Sequence, residues 1–302
     1  MRNSFAKKIT ELAKKNNKII LLSGDIGNRL FDEFKQKCPN QFYNCGVAEN
    51  NMIGVASGLS KLGFIPFVYT ITPFLVSRSF EQIKLDVAYP NLNVTIVGTG
   101  AGLSYARLGA THHSLDDLML MKSLPNMKLL IPGDPLEVEN LLEQKVKKIN
   151  NGPTYLRLGK KGEPIVNKKN KKIKLGSYNQ IFLEGDILIL CVGNVLGIGN
   201  EITKKLLKKN IKARLISFHS YPCKNLNNLK KEMQKSKKVL FIEEHFYDGS
   251  ISSYLVSEFR SILNNKKVIH CNIKKKFYSG LGEQVTARDF LDLSSNKIMK
   301  KL

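Results

Sequence analysis

The sequence predicts an α/β protein: two open, mostly parallel sheets, each with helices on both faces. Three observations predict it. Compact apolar runs alternate with segments of helical period from the N-terminus to about residue 158. A polar, lysine-rich stretch over 159–180 interrupts the alternation, which then resumes to the C-terminal region. With 302 residues and no long apolar run, the chain can build two ordinary domains and reads as soluble. The expected division is 1–160, a linker over 161–180, and 181–302.

In chain order, MRNSFAKKITELAKKN reads as an amphipathic first helix and lacks the apolar centre of a signal peptide. Lys18–Leu22 is a strand ending in Ser23-Gly24-Asp25-Ile26-Gly27. Ligands gather at the carboxyl ends of strands in such sheets, so Asp25 stands where chemistry usually happens. A short helix over 30–38 follows. The next stretch, QFYNCGVAENNMIGVASGLSKLG, organises the rest. Phe42–Val47 has the aromatic and β-branched character of a strand. Then Met52, Val55, Ala56 and Leu59 recur at helical spacing, while Gly54, Ser57 and Gly58 give a small face that lets another backbone approach. Glu49 falls in the first turn of that helix. Taken alone, a carboxylate there merely complements the helix dipole.

Ile65–Ile71 is a strand, Leu75–Ala88 a helix carrying Arg78 and Glu81, and Val94–Val97 a strand. A glycine-rich loop from Gly98 to Gly109 leads to Thr111-His112-His113-Ser114. A helix over 115–123, a strand Lys128–Ile131, a turn at Pro132-Gly133-Asp134-Pro135, a helix over 136–149 and a strand Thr154–Leu158 complete the first series. In the second, strands Asp186–Val192, Ala213–Ser217, Val239–Glu243 and Val268–Cys271 alternate with helices over 198–209, 226–235 and 250–264.

The net charge of +23 invites a nucleic-acid reading. Its lysines, however, are spread through helices and loops without interleaved aromatics, and no helix-turn-helix, RNP or zinc pattern accompanies them. Nucleic acid is therefore an unfavoured partner, and a membrane is not expected. Five cysteines with no C-x-x-C pair fit reduced thiols of the cytoplasm better than a disulfide frame or a zinc site. Gly193, Gly197 and Gly199 lack the G-x-G-x-x-G spacing, and the following strand ends without an acid to hold a ribose. Adjacent His112 and His113 cannot chelate together, because neighbouring side chains diverge on a strand or a helix; one of them is left to face a cleft.

At Gly46-Val47-Ala48-Glu49-Asn50-Asn51-Met52-Ile53-Gly54 the chain resembles the pyrimidine-binding domain of transketolases. The resemblance continues through Thr70–Gln82, Gly109–His112 and Leu124-Pro125-Asn126 to Pro132-Gly133-Asp134. The second domain is similar to the transketolase C-terminal domain, so nearly the whole chain is covered. What it resembles is the smaller, C-terminal subunit of a split transketolase. That resemblance implies thiamine diphosphate as cofactor, with Mg²⁺ and the diphosphate held by a separate large N-terminal-type subunit. It further implies a cytoplasmic heterotetramer with self-association, moving a two-carbon ketol unit between sugar (phosphate) substrates. Gly24-Asp25 and Asn50-Asn51 superficially match the Gly-Asp-Gly…Asn metal signature of such enzymes, but Ile26 replaces the third glycine and the asparagines fall inside a helix. No metal ligands are expected on this chain.

By the same resemblance Glu49 hydrogen-bonds N1′ of the aminopyrimidine, which requires a desolvated pocket and a carboxyl group that is at least partly protonated. Phe74 stacks on the pyrimidine, Ile71 forms a second apolar wall, and Asp25 lies beside the cofactor. His112 donates to the substrate oxygen where charge develops. Arg157 and Arg2 bind a sugar phosphate through arginine's planar fork. Two departures redirect substrate choice: Thr99-Gly100 stands where sugar transketolases carry a Thr-His, and Arg107-Leu108-Gly109 where they carry Glu-Asp-Gly. Two rivals share parts of the pattern: a beta-type subunit of a 2-oxo acid decarboxylase or dehydrogenase, and a catalytically silent subunit.

Overall fold

The structure, a computed structural model, describes residues 1–27, 29–147 and 152–302. Six strands come first: β1 (Ile19–Ser23), β2 (Phe42–Asn44), β3 (Ile65–Ile71), β4 (Thr95–Thr99), β5 (Lys128–Leu130) and β6 (Thr154–Leu158). Six follow: β7 (Asn179–Phe182), β8 (Ile187–Val192), β9 (Ala213–Ser217), β10 (Ser220–Tyr221), β11 (Lys238–Phe246) and β12 (Lys267–Ile273). The first sheet runs β10-β5-β6-β4-β3-β1-β2 and is parallel except at β10; the second runs β12-β11-β8-β9-β7 and is parallel except at β7. This is the predicted fold. Central strands such as IILLS, TIVGT and ILILCV are buried throughout because helices cover both faces, so they read as apolar runs and not as alternation.

The helices Arg2–Ala13 and Pro135–Lys147 cover one face of the first sheet, where Phe5, Ile9, Val138 and Leu141 pack on Leu21, Phe67 and Leu156. Beneath the other face a single core runs on into the second half, joining Met52, Leu75 and Ile96 to Leu190, Phe218 and Phe241. The second half also donates β10 to the first sheet, antiparallel to β5. That two-residue strand carries too little pattern to be read from sequence, and the antiparallel edge strand β7 likewise lies outside the expected set. Over 161–178 the chain has no helix or strand, and its backbone N–H groups at Val166 and Asn167 donate to Asp134 at 2.9 and 2.8 Å.

Three expected helices differ. Leu75–Ala88 is broken into Thr72–Val76, a short turn Phe80–Gln82 and a wide π-turn over Ile83–Ala88. The widened turn frees the Asp86 carbonyl, which accepts from Ser57 Oγ at 2.7 Å, and Ser79 Oγ turns to Asn50 at 3.0 Å. The helix expected over 250–264 is interrupted at Phe259. That expected over 136–149 is Pro135–Lys147 among the described residues; its last two expected positions lie outside them. Two C-terminal helices, Gln284–Phe290 and Ser295–Met299, add to the expected set.

Candidate functional site

The helix Glu49–Lys61 starts five residues beyond β2, at the carboxyl edge of the first sheet. Gly46 turns the chain into it at φ 68°, and its N-cap, Ala48, offers no side chain to the free N–H groups. Glu49 supplies negative charge there instead. It is only 2% exposed. Its Oε2 accepts from Arg78 Nη1 at 2.8 Å, whereas the Arg78 side chain is 49% exposed. The same guanidinium lies 4.9 Å from the centroid of the Phe74 ring. His112 meets Phe74 edge-on at 5.0 Å and Tyr105 at 6.0 Å. One arginine thus touches the buried carboxylate and the aromatic wall together.

Phe74 and Arg78 open onto a cleft of about 390 Å³ that His113, Lys276 and Phe277 also line. That volume lies within the roughly 300–1,000 Å³ common for small-molecule sites. The histidines divide, but the one that lines this cleft is His113 and not His112, the expected substrate donor. His113 is buried with Nε2 3.1 Å from the Ala106 carbonyl, while His112 remains half-buried, its Nδ1 2.9 Å from Thr111 Oγ1. Burial, then the neighbouring His113, lowers the His112 pKa, so the ring is neutral at pH 7.

Ile71 is half-buried at the end of β3, three residues before Phe74. Asp25 is exposed, at φ 53°, and accepts from Asn44 Nδ2 at 2.9 Å. No hydrogen bond or ion pair among the described residues joins it to Glu49. Arg2 lies half-buried with its Nε inside the protein and unpartnered among the described residues.

Arg157 does not meet its expectation as a substrate contact. It sits inside β6, 2% exposed, with Nε and Nη2 on the two Asp117 carboxylate oxygens at 2.8 and 3.1 Å. Nη2 also donates to the carbonyls of Ser114 and Glu244. Burial opposes ionisation of Asp117, yet the guanidinium wins and holds its carboxyl below the usual range. Arg157 is a strut between the two halves. A cation that sequence reasoning did not single out, Lys160, lies two residues beyond β6, at the strand end where ligands gather. Its ammonium lies 4.4 Å from the Tyr105 ring centre, and burial, Lys161 and Arg2 lower its pKa.

Tyr105 also explains one departure. A Cβ on Gly100 would fall 2.0 Å from the Tyr105 ring, and Gly100 has φ 78°. The tyrosine occupies the space a side chain at 100 would need. Leu108 projects to solvent, and Arg107 pairs with Glu283 at 3.1 Å. The second half supports the same loop from below: a Cβ on Gly102 would fall 2.3 Å from the Glu244 carboxylate. Burial works against the Glu244 charge, but Arg288 and Asn194 hold its pKa down.

The residues fit thiamine diphosphate in part. Glu49 is buried with a half-exposed partner, Arg78, whose guanidinium also meets Phe74, a ring that faces a cleft. Diphosphate–metal ligands are another matter: among the described residues no cluster of three or more His, Cys, Asp or Glu is placed to hold a metal ion. Nor is any helix among them long and apolar enough to cross a membrane.

Residues 1–163 match the family described as transketolase, pyrimidine binding domain. The chain is 30% identical to one of the subunits of the apulose-4-phosphate transketolase of Phocaeicola vulgatus, over 84% of this chain and 82% of that protein. It is 31% identical to the 6-deoxy-6-sulfo-D-fructose transketolase subunit SqwH of a Clostridium species, over 73% and 68%. A solved structure titled split gene transketolase, inactive beta4 tetramer, superposes with a TM-score of 0.87 at 29% identity, covering 99% of this chain and 95% of that one.

Proposed function

Because the chain belongs to the transketolase family, we propose that it is the smaller subunit of a two-subunit enzyme that moves a two-carbon ketol unit between anionic sugar substrates. The observation that carries this reading is Glu49, buried at a helix start with Arg78 as its only charged partner among the described residues. Thiamine diphosphate, when bound, supplies the carbanion chemistry. Glu49 would turn from Arg78 and hold a proton at N1′ of the aminopyrimidine. Phe74 would stack on that ring and Ile71 would close its edge, with Asp25 nearby. His112, neutral and edge-on to Phe74, would donate to the substrate oxygen that gains charge.

Arg2 and Lys160 would take the substrate's anionic end. The names of both relatives specify a sugar carrying a phosphate or sulfo group, which supports an oxyanion contact here. Tyr105 over Gly100 and the apolar Leu108 would set which sugars are accepted. Mg²⁺ and the diphosphate would be held by the large subunit. The outer side of the helix Glu49–Lys61 supports its docking there: Gly54 and Gly58 face open space, and Val47, Val55 and Leu62 are exposed. The test is reconstitution with the large subunit, thiamine diphosphate and Mg²⁺, followed by product analysis. Two-carbon transfer between sugars is expected. Release of carbon dioxide from a 2-oxo acid without such transfer contradicts the reading.

A further inference from the structure

At the opposite edge of the first sheet from Glu49, three lysines converge on one small cavity. Lys128 and Thr154 are register partners at the starts of β5 and β6. Lys145 comes from the helix Pro135–Lys147, and Lys224 follows β10. With Ser220 and Tyr221 these side chains line a space of about 140 Å³, and none of its lining residues is acidic.

Lys145 is 2% exposed, and its ammonium donates to the side-chain carbonyl of Asn93, a neutral acceptor. A buried charge without a counter-charge is costly. Accordingly burial, with the Lys128 charge added, pulls the Lys145 amine down to about 7. A doubly charged oxyanion would offset both causes at once. The cavity, about 140 Å³, has room for a tetrahedral anion. Lys224 stands at the mouth. Its backbone N–H donates to the Gly176 carbonyl at 2.8 Å, and its aliphatic stem lies 3.7–3.8 Å from where a Cβ of Gly176 would be.

We propose that this cavity binds a free phosphate-sized oxyanion, gripped by Lys145 within and Lys224 at the mouth. It lies where β10 of the second half pairs with β5 of the first, so the bound anion ties the two halves together.

The test titrates inorganic phosphate into the full chain at constant ionic strength, with chloride as the control, and follows calorimetry and the thermal midpoint. Wild type should show saturable phosphate binding that survives in the double variant Arg2→Met/Lys160→Met, a rising midpoint and no equivalent response to chloride. Lys224→Gln should keep the phosphate-free midpoint and bind phosphate at least tenfold more weakly; Lys145→Met should lose the saturable response. Lys209→Gln, an exposed lysine outside the cavity lining, should bind as wild type does. Should Lys145→Met fail to fold, Lys224→Gln decides alone. Absence of saturable binding, unchanged affinity in Lys224→Gln, or loss of binding in Lys209→Gln overturns the proposal.

Discussion

Arg78 Nη1 lies 2.8 Å from Glu49 Oε2, joining a side chain that is half exposed to one that is almost wholly buried. The pair is asymmetric: water can take over the arginine, but no other charged group among the described residues pairs with the glutamate. Removing a partner from a fully buried pair costs about 3–5 kcal/mol, and solvent at Arg78 reduces that here. Arg78→Met should therefore destabilise the isolated chain by about 1–2 kcal/mol. Adding Glu49→Gln should recover most of the loss. A double-mutant cycle by denaturant unfolding measures it, and strictly additive effects would show that the two groups do not interact.

Phe74 offers the aromatic surface of the cleft. Phe74→Ala should weaken thiamine diphosphate binding to the assembled enzyme by about 1–3 kcal/mol, if stacking on the aminopyrimidine resembles other aromatic–base contacts. Calorimetry on the complex checks this, and an unchanged affinity would reduce Phe74 to a packing residue.

Arg157 and Lys160 should separate cleanly. Arg157→Met leaves Asp117 buried without its counter-charge and should cost about 3–5 kcal/mol of stability. Lys160→Met should leave the thermal midpoint in place while raising KM for an anionic sugar about ten- to a hundredfold, as loss of one charge-assisted hydrogen bond does. Equal stability losses in the two variants would contradict this division of roles.

Glu137 gives the junction a pH dependence. Its carboxyl is buried, accepts from Gly133 N–H at 2.7 Å and Ser217 Oγ at 2.9 Å, and is pushed up to about 7 by burial and then by Asp134. A carboxyl whose folded pKa exceeds the unfolded one binds its proton more tightly when folded. Its contribution is thus fully present below about 4.5 and is lost as pH rises through about 7. The loss should be on the order of 3 kcal/mol. Glu137→Gln should flatten that part of the stability–pH curve, and a mutant curve parallel to wild type would exclude Glu137 as the source.

The sheets were legible in the sequence because buried parallel strands are apolar runs with sharp ends: Ile65–Ile71, Thr154–Leu158 and Ala213–Ser217 fall where they were expected. Glu49 was legible as a carboxylate at a strand-to-helix junction, but its partner was not. Arg78 lies 29 residues away and reaches back only because the expected long helix breaks at Ser77–Ser79. Arg157 shows the limit on the other side. An arginine inside an apolar strand reads the same whether it meets a ligand or a buried acid, and Asp117 is 40 residues distant. Lys160, the cation we propose for the substrate's anionic end, stands past the strand end. Tyr105 over Gly100 is likewise a contact between loop residues, which no periodicity announces.

Exchange of the C2 proton of bound thiamine diphosphate, followed by NMR, tests Glu49 most directly. With the large subunit present, Glu49→Gln should preserve the fold and slow exchange at least about 100-fold, the low end for a positioned acid–base group. The chain alone should bind the cofactor weakly and turn over nothing. Exchange in Glu49→Gln as fast as in wild type would contradict the catalytic role, and full activity of the isolated chain would contradict the split site.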